Sequence, residues 1–118
     1  MTWDDLLERK SAFIGGDAEV HVGGNVIRGR IREITQTGRV VSLFVSWAAK
    51  FDPSCPTRWR KEAWPIEIAF GEFSTDHFDP ELLENGGVTF VHKGGKRFAD
   101  LLHPKGDDNL DPALVEGL

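Results

Sequence analysis

Apolar residues near the start of the chain recur at the spacing of a helix, with charged residues on the opposite side. Thr2 is a suitable N-cap, and two acidic residues follow it in the first turn. The glycine pair at 15–16 ends the pattern. These features predict an amphipathic helix over residues 2–14. Its apolar side consists of Trp3, Leu6, Leu7, Phe13 and Ile14.

From Asp17 onward the apolar period changes to strict alternation, which is the pattern of a half-buried strand. The alternation continues through residue 50 and predicts an antiparallel ladder over 17–50. Its turns are expected at Gly24–Asn25 and at Thr37–Gly38, where the residues tolerate tight backbone geometry. A break in the alternation near Glu33 predicts a β-bulge that bends the second strand.

The register of the first hairpin is predicted from its two faces. A register with Val22 opposite Ile27 places both sets of aliphatic side chains on one side of the sheet. The same register sets acidic residues and a histidine of the first strand against arginines of the second. The opposed pairs are Asp17 with Arg32, Glu19 with Arg30, and His21 with Arg28.

Residues 51–65 interrupt the alternation with three prolines, which exclude one continuous helix or strand. The stretch is predicted to be a long loop, with one helical turn over 58–63 as an option. Loops of this length in compact domains are often functional. This loop interleaves aromatic and basic residues, namely Arg58, Trp59, Arg60, Lys61 and Trp64.

The remainder of the chain is predicted to hold four further elements. A helix at 80–85 is indicated because Asp79 can serve as its N-cap, Pro80 suits its first turn, and Gly86 suits its end. The tail is expected to contain a flexible link and one helical turn. The elements are a strand at 66–70, a helix at 80–85, a hairpin at 88–101 and a tail at 104–118.

The predicted fold class is mostly β (α+β), in a single domain over 1–118. It is either a small curved antiparallel sheet or a small barrel, with an N-terminal helix and the short helix at 80–85. A helix followed by short, bent antiparallel strands over residues 2–72 resembles the layout of SH3-like and Sm-like barrels. Sm-like proteins use that layout in rings that bind RNA, but a fold does not carry its function with it. The predicted core is Leu6, Leu7, Val20, Val22, Ile27, Ile31, Val41, Leu43, Val45, Trp47, Ile66, Ile68, Phe70, Leu82 and Val88.

Composition narrows the classes of function. The chain has 118 residues, of which 40% are apolar and 28% charged, and its formal charge is −5. An acidic chain is poorly suited to wrap duplex DNA. The apolar runs are too short to span a membrane, and the first residues do not resemble a secretory signal. Cys55 is the only cysteine, so a soluble, cytoplasmic protein without an internal disulfide is expected.

Two basic features are candidate binding surfaces. The loop residues Arg58, Trp59, Arg60 and Trp64 suit a protein or small-ligand contact, single-stranded nucleic acid, or a lid that closes one end of the fold. Arg28, Arg30 and Arg32 alternate along one strand. They suit phosphates or an acidic partner, or else form a solvent-facing row paired with Asp17, Glu19 and Glu67.

No catalytic or metal site is predicted, and no cofactor. The four histidines are far apart in sequence, and the cluster around His77 is explained by turn and cap residues. The predicted function is a non-catalytic binding module that contacts a protein or small ligand through the aromatic–basic loop. The alternatives are a ligand-binding protein or enzyme with a cavity holding His21, His77 or His92, and a single-stranded nucleic-acid binder. Pairing of two copies through strand 66–70 or 88–92 is a further option.

Overall fold

The protein is built on one antiparallel sheet of eight strands. The computed structural model describes residues 1–63 and 67–115. Helix α1 (Trp3–Glu8) comes first and is followed by a turn of 3-10 helix at Lys10–Ala12. A second such turn lies at Pro112–Leu114. The strands are β1 (Asp17–Val22), β2 (Asn25–Thr37), β3 (Val40–Phe51), β4 (Trp59–Glu62), β5 (Gly71–Ser74), β6 (Phe78–Leu82), β7 (Val88–His92) and β8 (Arg97–His103).

The sheet is strongly curved but is not closed. Its strand order is β4-β3-β2-β1-β8-β7-β6, and β5 pairs with β3 beside β4. Curvature brings the ends together, so that the ring of Phe73 on β5 stacks on that of Phe90 on β7 at 3.9 Å. No hydrogen-bonded ladder joins β5 to β6 in the described part of the chain. The curved-sheet prediction is therefore confirmed, and the closed SH3-like or Sm-like barrel is wrong.

Helix α1 covers the open side of the sheet. The Trp3 ring stacks on Phe90 with ring centroids 5.8 Å apart, and its Nε1–H donates to the carbonyl oxygen of Phe78 at 2.8 Å. The predicted N-cap is confirmed, since Thr2 Oγ1 accepts from the Asp5 N–H and the Asp5 carboxylate accepts from the Thr2 N–H. The predicted end at residue 14 is wrong, because the chain tightens into a 3-10 turn that carries Phe13 into the core.

The turn of the first hairpin lies one residue earlier than predicted. Gly23 and Gly24, with φ of 55° and 82°, form a two-residue turn that places Val22 opposite Asn25. Two successive positive φ values suit the twist of a hairpin, and glycine adopts them without strain. The predicted register is therefore wrong by two residues, with Glu19 opposite Arg28. Because the slip is even, every side chain keeps its predicted face.

The bulge predicted near Glu33 is confirmed. The β2–β3 register shifts twice, between Gly29 and Ile31 and between Ile31 and Glu33. A Cβ on Gly29 would lie 2.7 Å from Cγ1 of Val45, so the strands approach too closely there for any other residue. The turn that follows β2 spans residues 38–39, one position later than predicted.

The prediction of a loop throughout 51–65 is partly wrong. Residues 59–62 form β4 rather than a helical turn, because they pair with residues 48–51 of β3. The predicted strand at 66–70 is also wrong for residues 67–70, and the strand begins at Gly71 instead. Residue 66 lies outside the described residues.

The helix predicted at 80–85 is wrong, because the segment forms β6. Pro80 is buried opposite Phe90, and β6 is an end strand that pairs with β7 alone among the described strands. An end strand tolerates proline, since a missing N–H can face away from the ladder. The hairpin at 88–101 is confirmed, and β8 continues to His103. Because β7 lies between β6 and β8, residues 88–92 offer no free edge to a second copy.

The core lies inside the curved sheet and under α1. Of the predicted core, Val22, Ile68 and Leu82 are exposed, Trp47 is half-buried, and Ile66 is outside the described residues. Leu7 and Ile27 pack partly buried against the core. The confirmed core residues are Leu6, Val20, Ile31, Val41, Leu43, Val45, Phe70 and Val88. The core residues absent from the predicted core are Trp3, Phe13, Ala18, Ile34, Ala48, Phe73, Phe90 and Leu102, of which Trp3 and Phe13 belong to the predicted apolar side of the first helix.

The helices of the described residues are short. None of them has the length and apolar character needed to cross a bilayer.

Candidate binding surface

The face of the sheet opposite the core brings together three of the predicted site residues, Arg28, Arg30 and Trp59. Cross-strand partners share a face, so the ladder that joins Glu19, Arg28, Ala49 and Lys61 runs across four strands on this side. We call this side the outer face. It comprises Asp17, Glu19 and His21 on β1, Arg28 and Arg30 on β2, Trp47, Ala49 and Phe51 on β3, Trp59 and Lys61 on β4, and Leu101 and His103 on β8.

An aromatic pair occupies the β4 end of the outer face. Trp59 pairs with Phe51 across the β3–β4 ladder, and their rings meet edge to face with centroids 5.5 Å apart. Phe51 is 37% exposed, and Trp59 is half-buried and outside the main core. The tryptophan that covers the open side of the sheet is Trp3. Trp64 lies outside the described residues.

Three basic residues adjoin Trp59 in the chain, with Lys61 on the same face of β4 and Arg60 on the opposite face. Arg58, Arg60 and Lys61 are exposed, and Arg60 Nε lies 3.1 Å from a carboxylate oxygen of Asp52. The loop before β4 is ordered by the Asp52 N–H donating to the Arg58 carbonyl at 2.8 Å. Arg58 adopts a positive φ of 68°, which costs about 1–2 kcal/mol for a residue with a Cβ. The loop therefore holds a strained arginine beside an exposed strand.

β4 forms one border of the sheet. Its pairing partner is β3, and no described strand pairs with its other side. Every second residue of such a strand directs its N–H and C=O away from the sheet, where they can pair with another chain. The predicted aromatic–basic group is thus on a strand edge and not only on a loop.

The predicted row of arginines is not a solvent-facing ridge. Arg28 is 8% exposed, and Asp17 is fully buried. The Asp17 carboxylate accepts from Arg30 Nε at 2.8 Å and lies 3.2 Å from Arg28 Nη2. Arg32 is exposed, and its guanidinium lies 5.7 Å from the centre of the Phe44 ring. The prediction that acids of β1 answer the arginines of β2 is confirmed for Asp17.

A segment near the C-terminal end covers Arg28 and Arg30. Arg28 Nη2 donates to the Asp108 carbonyl at 2.7 Å, and Arg30 Nη2 donates to the Leu110 carbonyl at 2.6 Å. The Leu110 N–H donates to Asp17 at 2.7 Å. Sequence patterns missed this contact, although the acidic character of residues 107–111 is a signal of a basic partner.

Two carboxyl groups beside this cluster are shifted in opposite directions. The pKa of Glu19 is lowered to about 2, chiefly by His103, with further contributions from His21 and Arg28. Burial raises the pKa of Asp100, whose Oδ1 accepts from the His21 N–H at 3.0 Å. These shifts describe a charge network built into the fold.

The other two histidines lie at the far end of the sheet. The rings of His77 and His92 are parallel, with centroids 6.4 Å apart, and His92 Nδ1 accepts from the Gly94 N–H at 3.0 Å. No group of three or more His, Cys, Asp or Glu side chains among the described residues is placed to hold a metal ion.

A small cavity lies between α1 and β6. It has a volume of about 210 Å³ and is lined by Met1, Asp5, Arg9 and Leu82. Ligand sites generally measure about 300 Å³ or more, and this one holds none of the histidines expected in the alternative with a ligand cavity. It gives that alternative no support.

Known proteins do not supply an identity for this arrangement. Comparison with protein-family models, curated proteins and solved structures finds no match to the chain.

Proposed function

We propose that the protein is a non-catalytic binding module that takes an extended, acidic segment of a partner protein along the free edge of β4. The observation that carries the proposal is the unpaired side of β4 in the described structure, next to Trp59 and three exposed basic residues. Addition of a strand to an exposed edge is a recurrent mode of peptide recognition. The main chain supplies affinity, and neighbouring side chains supply specificity.

Charge selects the partner. The whole chain carries −5, so the cluster of Arg58, Arg60 and Lys61 stands out as a basic edge on an acidic protein. Charged residues on an edge strand also discourage pairing between identical copies, because like charges meet across the new ladder. An acidic strand reverses that repulsion. The same charges therefore disfavour a second copy and favour an acidic partner.

The aromatic pair supplies an anchor. Trp59 and Phe51 present partly exposed rings at the end of the edge, where an apolar side chain of the partner can pack. Tryptophan is the residue type most often found to dominate binding energy at interfaces. An occupant that alternates acidic and aliphatic residues matches both features.

A synthetic peptide of alternating Glu and Val residues is the direct probe. We expect it to bind the full chain, and Trp59→Ala to weaken that binding by about tenfold or more, as for an interface anchor. The melting temperature is expected to change little, because Trp59 lies outside the core. Isothermal titration and thermal unfolding measure the two effects.

Charge reversal provides the matched controls. Lys61→Glu is expected to abolish binding, whereas Lys96→Glu, on the exposed turn before β8, is expected to leave it unchanged. A peptide of alternating Lys and Val should not bind. Failure of the acidic peptide to bind would overturn the proposal and leave the basic residues as protection against edge pairing. Tighter, steeply salt-dependent binding of a single-stranded oligonucleotide would favour the nucleic-acid alternative instead.

A further inference from the structure

The segment that covers Arg28 and Arg30 is attached to the sheet without joining the main core. Among the described residues the main core cluster ends at Leu102, and Val115 of the segment is buried outside that cluster. The Lys105 N–H donates to the Ala12 carbonyl at 2.8 Å and fixes the chain just before the segment. We call residues 106–115 the arm. The arm is therefore a separate unit whose docking is decided by its own contacts.

Backbone groups of the arm make three hydrogen bonds to charged side chains of the sheet. Two of its carbonyl groups accept from arginine side chains, and one of its N–H groups donates to Asp17. Hydrogen bonds to charged groups are stronger than those between neutral groups, so these three help to hold a short segment. Charge adds to this, since a carboxylate oxygen of Asp108 lies 3.9 Å from Arg28 Nη1.

The arm begins with a tight, strained turn. Gly106 has a φ of 86° and Asp108 a φ of 53°. The Asn109 side chain closes the turn by accepting from the Gly106 N–H at 2.6 Å and donating to the Pro104 carbonyl at 3.3 Å. The positive φ of Asp108 is not required once the turn opens. Four extended residues at 106–109 then span about 13 Å.

We infer that the arm is exchangeable and that the outer face of β1 and β2 also takes the arm of a second copy of this chain. The two hydrogen bonds of Leu110, to Arg30 and Asp17, are available to an arm that arrives from another molecule, whereas the bond of the Asp108 carbonyl lies within the turn that opens. Only the turn at 106–109 differs between the closed form and the exchanged form. Exchange of an identical element in this way is a low-cost route to a two-fold dimer.

Concentration decides between the two forms. An arm tethered to its own face competes at an effective concentration of about a millimolar, so the closed monomer dominates in dilute solution. Exchange becomes measurable as the protein concentration approaches that value. This surface is distinct from the β4 edge, so the inference does not depend on the proposed function.

Two complementary variants of the full chain test the exchange. Leu110→Pro removes the N–H that donates to Asp17 and so weakens the arm, while Arg30→Met weakens the face that receives it. Each variant alone is expected to remain monomeric. The equimolar mixture is expected to contain at least about ten times more dimer than either variant alone, since an intact arm meets an intact face there. Native mass spectrometry distinguishes the heterodimer by mass.

Sedimentation of the unchanged chain gives a readout that does not depend on the variants folding. A dimer fraction that rises from micromolar protein to about 1 mM, and that is lost with Arg30→Met, supports exchange. A chain that stays monomeric across this range would overturn the inference. A mixture of the two folded variants without heterodimer, or a dimer that persists with Arg30→Met, would also overturn it.

Discussion

Asp100 and Glu19 lie on adjacent strands, yet their carboxyl groups have opposite effects on stability. Burial raises the pKa of Asp100, whereas His103, His21 and Arg28 lower that of Glu19 to about 2. A raised carboxyl pKa means that the charged form is disfavoured in the folded state. A lowered one means that it is favoured.

Asp100→Asn is expected to raise the melting temperature near neutral pH. The variant removes a charge that burial disfavours and keeps an oxygen that accepts from the His21 N–H. The pKa of Asp100 in the folded protein is raised above its ordinary value of 3.8. The stability advantage of the variant should therefore become smaller as the pH falls through this folded-state pKa, because wild-type Asp100 then becomes protonated. Thermal unfolding at several pH values measures the difference between the two proteins.

Glu19→Gln is the matched control with the opposite sign. The variant removes a charge that is favourable in the folded state, so its melting temperature should be lower than that of the wild type above pH 4.5. This difference in melting temperature should become smaller as the pH drops from 4.5 towards about 2. If both variants respond in the same direction at neutral pH, the two carboxyl groups do not have the environments described here.

Residue-level prediction from the sequence succeeded where the partner is local. The alternation placed Asp17 and Glu19 on the same face as Arg28 and Arg30, and the structure confirms that face. Burial of Arg28 could not be predicted, because it depends on the carbonyl of Asp108, 80 residues further along the chain. No periodicity records such a contact.

The elements show which local signals decide structure. Asp79 and Pro80 fit the start of a helix, but the segment pairs with β7 and buries Pro80, so tertiary contacts override the local preference. The bulge near Glu33 was predictable because a break in alternation has a direct geometric meaning. The β4 strand was hidden because prolines surround its short sequence.

The Gly23–Gly24 turn fixes the register of the first hairpin. We expect Gly23→Asn to be neutral or stabilising by up to about 1 kcal/mol, because asparagine tolerates a positive φ and restricts the unfolded chain. Gly23→Val is expected to cost about 1–2 kcal/mol, since a β-branched residue is strained there. Both Cβ atoms would point into open space, so urea unfolding of the pair isolates the backbone effect. Equal stabilities would show that φ does not control this turn.

At the scale of the whole molecule, the open side of the sheet depends on Trp3. Trp3→Ala is expected to destabilise the protein by about 3–5 kcal/mol, because the ring packs on Phe73 and Phe90. Trp3→Phe keeps much of the stacking and loses the hydrogen bond to the Phe78 carbonyl, at a cost of about 1 kcal/mol. Chemical denaturation measures the free energy of unfolding of both variants. Equal losses of stability would argue against a role of the Trp3 ring in covering the open side of the sheet.

The overall class was predictable because alternation dominates the chain, but closure was not. Whether a curved sheet joins its ends depends on how β5 and β6 meet, and these short strands carry weak patterns. The β4 surface was found from composition, while its status as an edge required the strand order. Sequence patterns thus predict which face of the sheet a side chain occupies, but they do not predict which strands form the edges of the sheet.

The docking of α1 has a consequence for biosynthesis. Trp3 leaves the ribosome before Phe78, whose carbonyl accepts from the Trp3 indole and lies 75 residues later, and Phe90 emerges later still. Translation proceeds at about 5–20 residues per second, so the helix spends seconds without its binding site. During that interval its apolar side is open to chaperones. Helix α1 therefore reaches its final place only after the later strands that it packs on have been made.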